Sequence, residues 1–155
     1  MDHGVCHEML GRRGLERKKA GDQVVAILVH ERLENSGKIV FVGVMDLRGL
    51  DSKSRTVYSA SVIGDKRYWG KGIAHEARLM QLKIAFDDIG LDRVYSRIIR
   101  PNVRSQHMLE NTGYRLIGVL PEARLVEGVW YDELVYCVSR PLWFPYWNQH
   151  FGKGL

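Results

Sequence analysis

Cysteine is scarce, with only Cys6 and Cys137 in 155 residues and no motif spacing between them. That argues against a disulfide framework or half a metal site, and two buried thiols in a reducing compartment are expected instead. The six histidines show no ligand spacing, so no metal is expected either. No apolar run approaches the roughly 20 residues of a membrane-spanning helix, and Met1 to Cys6 carry no apolar core of the kind that directs export. A soluble, cytoplasmic chain with no membrane partner is the expectation. Two nucleotide signatures are also missing. The Walker pattern is absent, and no third glycine completes a dinucleotide fingerprint, since Arg78 and its neighbours occupy that region. There are no internal repeats and no low-complexity segments.

What is present has globular proportions: 45% hydrophobic and 26% charged residues in a length suited to one domain over 1–155. Net charge is +5. The basic residues are dispersed, apart from Arg12-Arg13 and Arg17-Lys18-Lys19, a cluster read as a solvated helix face. The excess suits a cofactor that carries phosphates as well as it suits nucleic acid, which is disfavoured as a partner.

Residues 4 to about 20 mix leucines with charges and are interrupted by Gly11 and Gly14, which gives a frayed or short helix. Val24 to His30 and Lys38 to Leu47 are rich in Val and Ile and read as strands of a hairpin, with the turn at Glu34-Asn35-Ser36-Gly37. Gly49 to Ser54 is a polar connection, and Arg55 to Ile63 a third strand. From Ile73 the period becomes helical through Ala77, Met80 and Ile84, with Leu82, Phe86 and Ile89 widening the stripe and Gly90 as the stop. Arg93 to Ile99 is a strand. Asn102 then caps a second helix, with Ser105 at its third position and Gly113 at its end. Tyr114 to Leu120 and Trp130 to Val138 are the last strands, joined by a loop holding Pro121 and Gly128. In the aromatic tail, residues 141–155, the prolines argue against another helix. That tail packs over the domain's own surface or makes a subunit contact, which would give a homodimer. A strand–helix–strand unit with hairpins on both sides implies an α+β protein with a mixed sheet.

Within this order Arg67-Tyr68-Trp69-Gly70-Lys71-Gly72-Ile73-Ala74 reads as a loop turning into a helix. Two glycines open the backbone to a ligand, and the first N–H groups of the helix with its dipole make an anion site suited to a pyrophosphate. Lys71 adds a full charge. The same pattern also suits a tight turn with no ligand.

The spacing Arg67-x-x-Gly70-x-Gly72 resembles the (Gln or Arg)-x-x-Gly-x-(Gly or Ala) signature of the GCN5-related N-acetyltransferases (GNAT). Further likeness lies in Ile63 to Ala74, Ile89 to Val94, Asn102-Val103-Arg104-Ser105, Leu109 to Tyr114 and Gly128 to Asp132. It is nearest to the branch holding ribosomal-protein N-terminal and spermidine acetyltransferases. The resemblance implies a GNAT-like acyl-CoA N-acyltransferase fold in which the strands ending near Val62 and starting at Arg93 splay apart. It also implies acetyl-CoA as cosubstrate: Ser61 and Val62 would pair with the pantetheine arm and Arg67, Tyr68, Trp69, Gly70, Lys71, Gly72 and Ile73 would form the pyrophosphate loop. Asn102 would reach the pantetheine amide region. Residues 1–23 stand where the family usually carries a first strand and two helices, a shortened N-terminal part.

Acetyl transfer to an amine needs positioning, an uncharged nucleophile, a donor for the oxyanion and a proton for the thiolate. By resemblance the Val62 amide is the donor. Many members use a tyrosine as acid at the position of Leu109, so the Ser105 hydroxyl is the candidate here; alternatively Ser105 only completes its helix terminus. Tyr114 reads as structural. No base is singled out among Glu122, Glu127, Asp132 and Glu133, and His75 reads as solvent-facing rather than as a phosphate contact. The expected activity is acetylation of a primary amine, a protein or peptide N-terminus in preference to a polyamine or other small molecule, because the positive charge would repel a polycation. A CoA-binding module without catalysis and a basic RNA- or ribosome-associated protein are the competing readings.

Overall fold

The computed structural model describes residues 5–8, 23–33 and 36–152. Seven strands form one sheet: β1 (Val5–Glu8), β2 (Gln23–Leu33), β3 (Ser36–Asp51), β4 (Thr56–Ile63), β5 (Arg93–Ile99), β6 (Arg115–Val126) and β7 (Val129–Ser139), in the order β1-β2-β3-β4-β5-β7-β6. The helices are α1 (Ile73–Lys83), α2 (Val103–Glu110) and α3 (Arg140–Phe151). Only β4 and β5 run parallel, as the intervening helix requires; every other pairing is antiparallel. The mixed α+β sheet therefore matches expectation.

The β2–β3 hairpin closes at Leu33↔Ser36, with residues 34–35 of the expected turn outside the described residues. Three elements depart from the sequence reading. Residues 5–8, assigned to a frayed helix, form β1, held by antiparallel pairing to Ala26–Val29; the rest of that assignment lies outside the described residues. A four-residue strand has too few positions to show a period. The expected loop through Pro121 is instead strand on both sides of a bulge between Leu120 and Arg124. Proline is accommodated there because β6 is an edge strand and a bulge needs no ladder donor. The tail, expected to be non-helical, forms α3. Pro141 falls in its first turn, where no intrahelical N–H is needed, and the burial of Trp143 and Trp147 outweighs the bond lost at Pro145. Trp143 also donates from Nε1 to the Leu79 carbonyl at 3.2 Å, so the tail packs over the chain's own domain.

The buried face of α1 is also rotated from the expected stripe. Ile73, Ala77 and Leu82 are buried as expected, but so are Arg78, Leu79 and Gln81, whereas Met80 is only half-buried. A π-type turn over Ile84–Asp88 carries the chain on to Ile89. The core has two parts: a large cluster joining Leu79, Leu82, Phe86, Leu109, Tyr114 and the two tail tryptophans, and a small one of Val42, Met45, Tyr68, Ile73 and Ala77 under the start of α1. The small cluster fixes the loop before α1 on the sheet. Among the described residues no helix is long and apolar enough to cross a membrane, and no group of His, Cys, Asp or Glu could hold a metal ion.

Candidate active site

β4 and β5 pair at only three positions, Thr56↔Arg93, Val57↔Val94 and Tyr58↔Tyr95. At the point of parting two serines replace the ladder: Ser96 Oγ donates to the Ser59 carbonyl at 3.1 Å and Ser59 Oγ to the Tyr95 carbonyl at 3.2 Å. Beyond them the strands separate, and the β5-facing edge of β4 from Ala60 to Ile63 has no strand partner among the described residues.

A cleft of about 620 Å³ opens beside that edge. One wall is Ser61, Val62 and Ile63 of β4; the floor is Tyr68, Trp69, Gly70 and Gly72 leading into Ile73, Ala74 and His75; the other wall is Asn102, Arg104, Ser105 and Met108 of α2. Gly70 and Gly72 have φ of 74° and 78°, and a Cβ built on either would meet no atom within 4 Å. Their bareness therefore leaves open space at the corner. The first intrahelical bond of α1 is Glu76 N–H to the Gly72 carbonyl at 2.9 Å, so the N–H groups of Ile73, Ala74 and His75 have no intrahelical acceptor. This is the cradle an anion requires.

Of the sequence-derived cofactor residues, Ser61, Val62, Tyr68, Trp69, Gly70, Gly72, Ile73 and Asn102 share this cleft, and so does Ser105. Arg67 and Lys71 flank it without lining it. Arg67 pairs with Asp65 at 2.6 Å, and the Lys71 ammonium lies 5.3 Å from the Tyr68 ring centroid. The hydrogen bond from Arg67 holds the Asp65 carboxyl below the usual range, and Asp65 also accepts from the Arg67 N–H, capping the short turn. Trp69 is fixed across the cleft floor: its Nε1 donates to the Ile63 carbonyl at 2.9 Å, and the Arg104 guanidinium stacks 4.9 Å above its ring.

Asn102 caps α2 as expected, accepting the Ser105 N–H at 3.2 Å. The Ser105 hydroxyl itself makes no hydrogen bond among the described residues, and it lines the cleft and also a narrower crevice of about 180 Å³ running on between β4, β5 and α2. Leu109, at the position of the family's tyrosine, is fully buried and also reaches this crevice. Tyr114 is fully buried, its hydroxyl 2.9 Å from Ser59 Oγ, and burial pushes its phenol up. It stands as a core group, as expected.

The carboxylates of the last hairpin are tied into structure. Asp132 accepts from the Glu122 N–H at 3.0 Å and from Arg100, which hold it below the usual range. Glu133 is buried, 2.6 Å from Arg124 and 3.8 Å from Arg97. Glu122 and Glu127 mark the bulge and the tight turn with φ of 45° and 48°. His75 is half-buried; its Nε2 is 3.1 Å from the Asn111 carbonyl and its ring packs edge-on to His150.

Sequence reasoning missed two buried polar side chains next to the site, Arg78 and Gln81. Arg78 is 2% exposed, donates to Gln81 Oε1 and to Ser61 Oγ, both at 2.8 Å, and lines the narrow crevice. Two polar residues interrupting an apolar helical stripe were the available signal.

A sheet parted between its parallel strands, with a glycine-marked helix start beside the gap, defines an N-acetyltransferase fold. Residues 2–115 match the model of the acetyltransferase (GNAT) domain, and the chain belongs to that family. A Bacillus subtilis protein named "Probable N-acetyltransferase YjcK" is 31% identical over 77 residues, which are 50% of this chain and only 42% of that relative. Among solved structures, a chimera of the spermidine N-acetyltransferase SpeG from Vibrio cholerae superposes with a TM-score of 0.69 at 17% identity, covering 81% of this chain and 72% of that one. The Vibrio cholerae spermidine N-acetyltransferase in complex with CoA and spermine superposes with a TM-score of 0.66 at 19% identity, covering 78% of this chain and 68% of that one. At such identities these two show the fold.

Proposed function

We propose that the protein transfers an acetyl group from acetyl-CoA to a primary amine, with a protein or peptide N-terminus as the acceptor class. The observation that carries the reading is the continuity of the anion cradle at Gly70–Gly72 with the unpaired edge of β4 and the Ser105 hydroxyl in one cleft.

Coenzyme A fits that cleft chemically. Its diphosphate suits bare N–H groups at a helix start flanked by Lys71, Arg67 and Arg104, and its amide-bearing arm suits an extended strand edge. In this reading Ser61 and Val62 supply the backbone partners of the arm, Asn102 offers its free amide group, and the Val62 N–H meets charge developing on the carbonyl oxygen. The acceptor nitrogen attacks the thioester carbon, the carbon–sulfur bond breaks, and the sulfur leaves with the electron pair. The Ser105 hydroxyl is the proton donor within reach of that end of the cleft.

Acceptor preference follows from charge. No acidic residue lines the cleft or the crevice among the described residues, whereas Arg78, Arg97 and Arg104 do. A polyamine, with several cations to place, is disfavoured there.

Incubation with acetyl-CoA and a panel of peptide N-termini, amino acids and polyamines, followed by free-thiol release, tests the reading. Acceptor-dependent release with a peptide and little with spermidine is expected. Tight acetyl-CoA binding without turnover on any amine would instead identify a binding module, and a Ser105→Ala variant that keeps full turnover would remove Ser105 as the acid.

A further inference from the structure

Among the described residues Arg78 is a buried cation with no counter-charge. Its guanidinium projects from the buried face of α1, and its partners are all neutral: the Gln81 amide oxygen, the Ser61 hydroxyl and the Tyr114 ring 5.9 Å away. Its Nε–H has no hydrogen-bond partner. No described carboxylate lies in ion-pair range of it, although the sheet supplies one elsewhere, where Glu133 serves both Arg124 and Arg97. Taking a guanidinium out of water costs several kcal/mol unless an anion answers it. Arg78 also lines the narrow crevice, where it shares Ser61, Ser105 and Leu109 with the place the leaving sulfur would occupy.

We propose that the missing counter-charge is the coenzyme A thiolate, and that Arg78 stabilises the leaving sulfur of the acetyl transfer. The inference rests on the acetyl-transfer reading above. When the amine nitrogen bonds to the carbonyl carbon, the thioester carbon–sulfur bond breaks and its electron pair stays on sulfur. The amine proton goes to solvent. Arg78 keeps its own proton throughout, since guanidinium does not deprotonate in proteins, and acts by charge alone. A thiolate so held can leave without being protonated first, which is consistent with leucine at position 109.

The test compares coenzyme A with desulfo-coenzyme A, which differ only at sulfur, by calorimetry from pH 6.5 to 9. A free cysteine thiol titrates near 8.5, and the simple alkyl thiol of coenzyme A above that. If Arg78 favours the thiolate, the bound thiol titrates lower. The two ligands then bind alike at low pH, and coenzyme A gains about tenfold over its analogue for each unit of depression as pH rises toward the free value. An advantage of tenfold or more at pH 9 is expected in the wild type, with none in Arg78→Met. Turnover of that variant is expected to fall on the order of a hundredfold with little change in KM for acetyl-CoA. Arg78→Gln serves where the Met variant does not fold.

The other groups near the crevice do not mimic this signature. Tyr114 and Cys137 are both pushed up by burial and stay neutral, and Arg97, which also lines the crevice, is paired with Glu133 and is told apart from Arg78 by the Arg78 variant. Parallel pH profiles for the two ligands in the wild type overturn the proposal, as does a pH-dependent advantage that survives loss of the Arg78 charge. If neither ligand binds, the coenzyme A reading itself has failed.

Discussion

The start of α1 and the end of α2 are each marked by glycine with a left-handed backbone, and the two ends do opposite things with it. At Gly113, φ is 95° and a Cβ would stand 2.5 Å from the Leu142 carbonyl oxygen and 3.1 Å from Trp143 Cα. At Gly70 and Gly72 a Cβ would meet nothing within 4 Å. The first glycine lets α3 seat on the end of α2. The other two leave room that the protein itself does not fill. Gly113 is filled against by the protein's own chain, whereas Gly70 and Gly72 leave space at the cleft, and the sequence alone does not tell the two cases apart.

The largest effects should come from the crowded end. Trp143 is fully buried against Phe86 and Trp147 and donates to Leu79, so Trp143→Ala is expected to cost about 3–5 kcal/mol in urea unfolding. Gly113→Ala follows, at about 3 kcal/mol, from a left-handed non-glycine backbone together with overpacking against Leu142. Neither site touches the cleft. The folded fraction of Gly113→Ala should bind coenzyme A as the wild type does, and a Gly113→Ala protein of wild-type stability would dissolve the comparison.

The open end should respond the other way. Gly72→Ala is expected to cost only about 1 kcal/mol of stability, from backbone strain, yet to weaken coenzyme A binding tenfold or more in calorimetry, because a methyl group would occupy the approach to the α1 N–H groups. Equal losses in stability and affinity would show that the corner is merely a turn.

Legibility followed the same division. β2 to β5, α1 and α2 were readable because Val and Ile runs and helical spacing express burial directly, and the Asn102 cap and the Gly113 stop are local chemistry. The cleft residues of the glycine corner were readable because their spacing is local too. What escaped depends on contacts distant in sequence. α3 forms against a proline rule because Trp143 finds Leu79, far back in the chain, and Pro121 sits in a strand because β7 supplies the ladder around its bulge. Arg78 was seen only as one of the residues that follow the glycine pair. Its role as a buried, unanswered charge becomes visible once α1 is laid on β4 and Ser61 is seen to be its acceptor.

The smallest and most discriminating effect concerns Asp65, a carboxylate paired with Arg67 beside the cationic corner. Its folded-state pKa is lowered by the Arg67 hydrogen bond. Any stability it contributes is therefore present above the ordinary carboxylate value and lost only as pH falls below it, so between pH 5 and 8 its charge is constant. Asp65→Asn keeps an oxygen to accept the Arg67 N–H, preserving the turn, but removes the negative charge that partly neutralises Arg67. If the corner is a diphosphate site, coenzyme A should bind roughly two- to fivefold tighter to this variant at low ionic strength, and the gain should vanish near 1 M salt, where charges more than about 3 Å apart are screened. A packing device at this corner would be indifferent to the exchange, so an affinity that does not change at low salt would place Gly70 and Gly72 with Gly113.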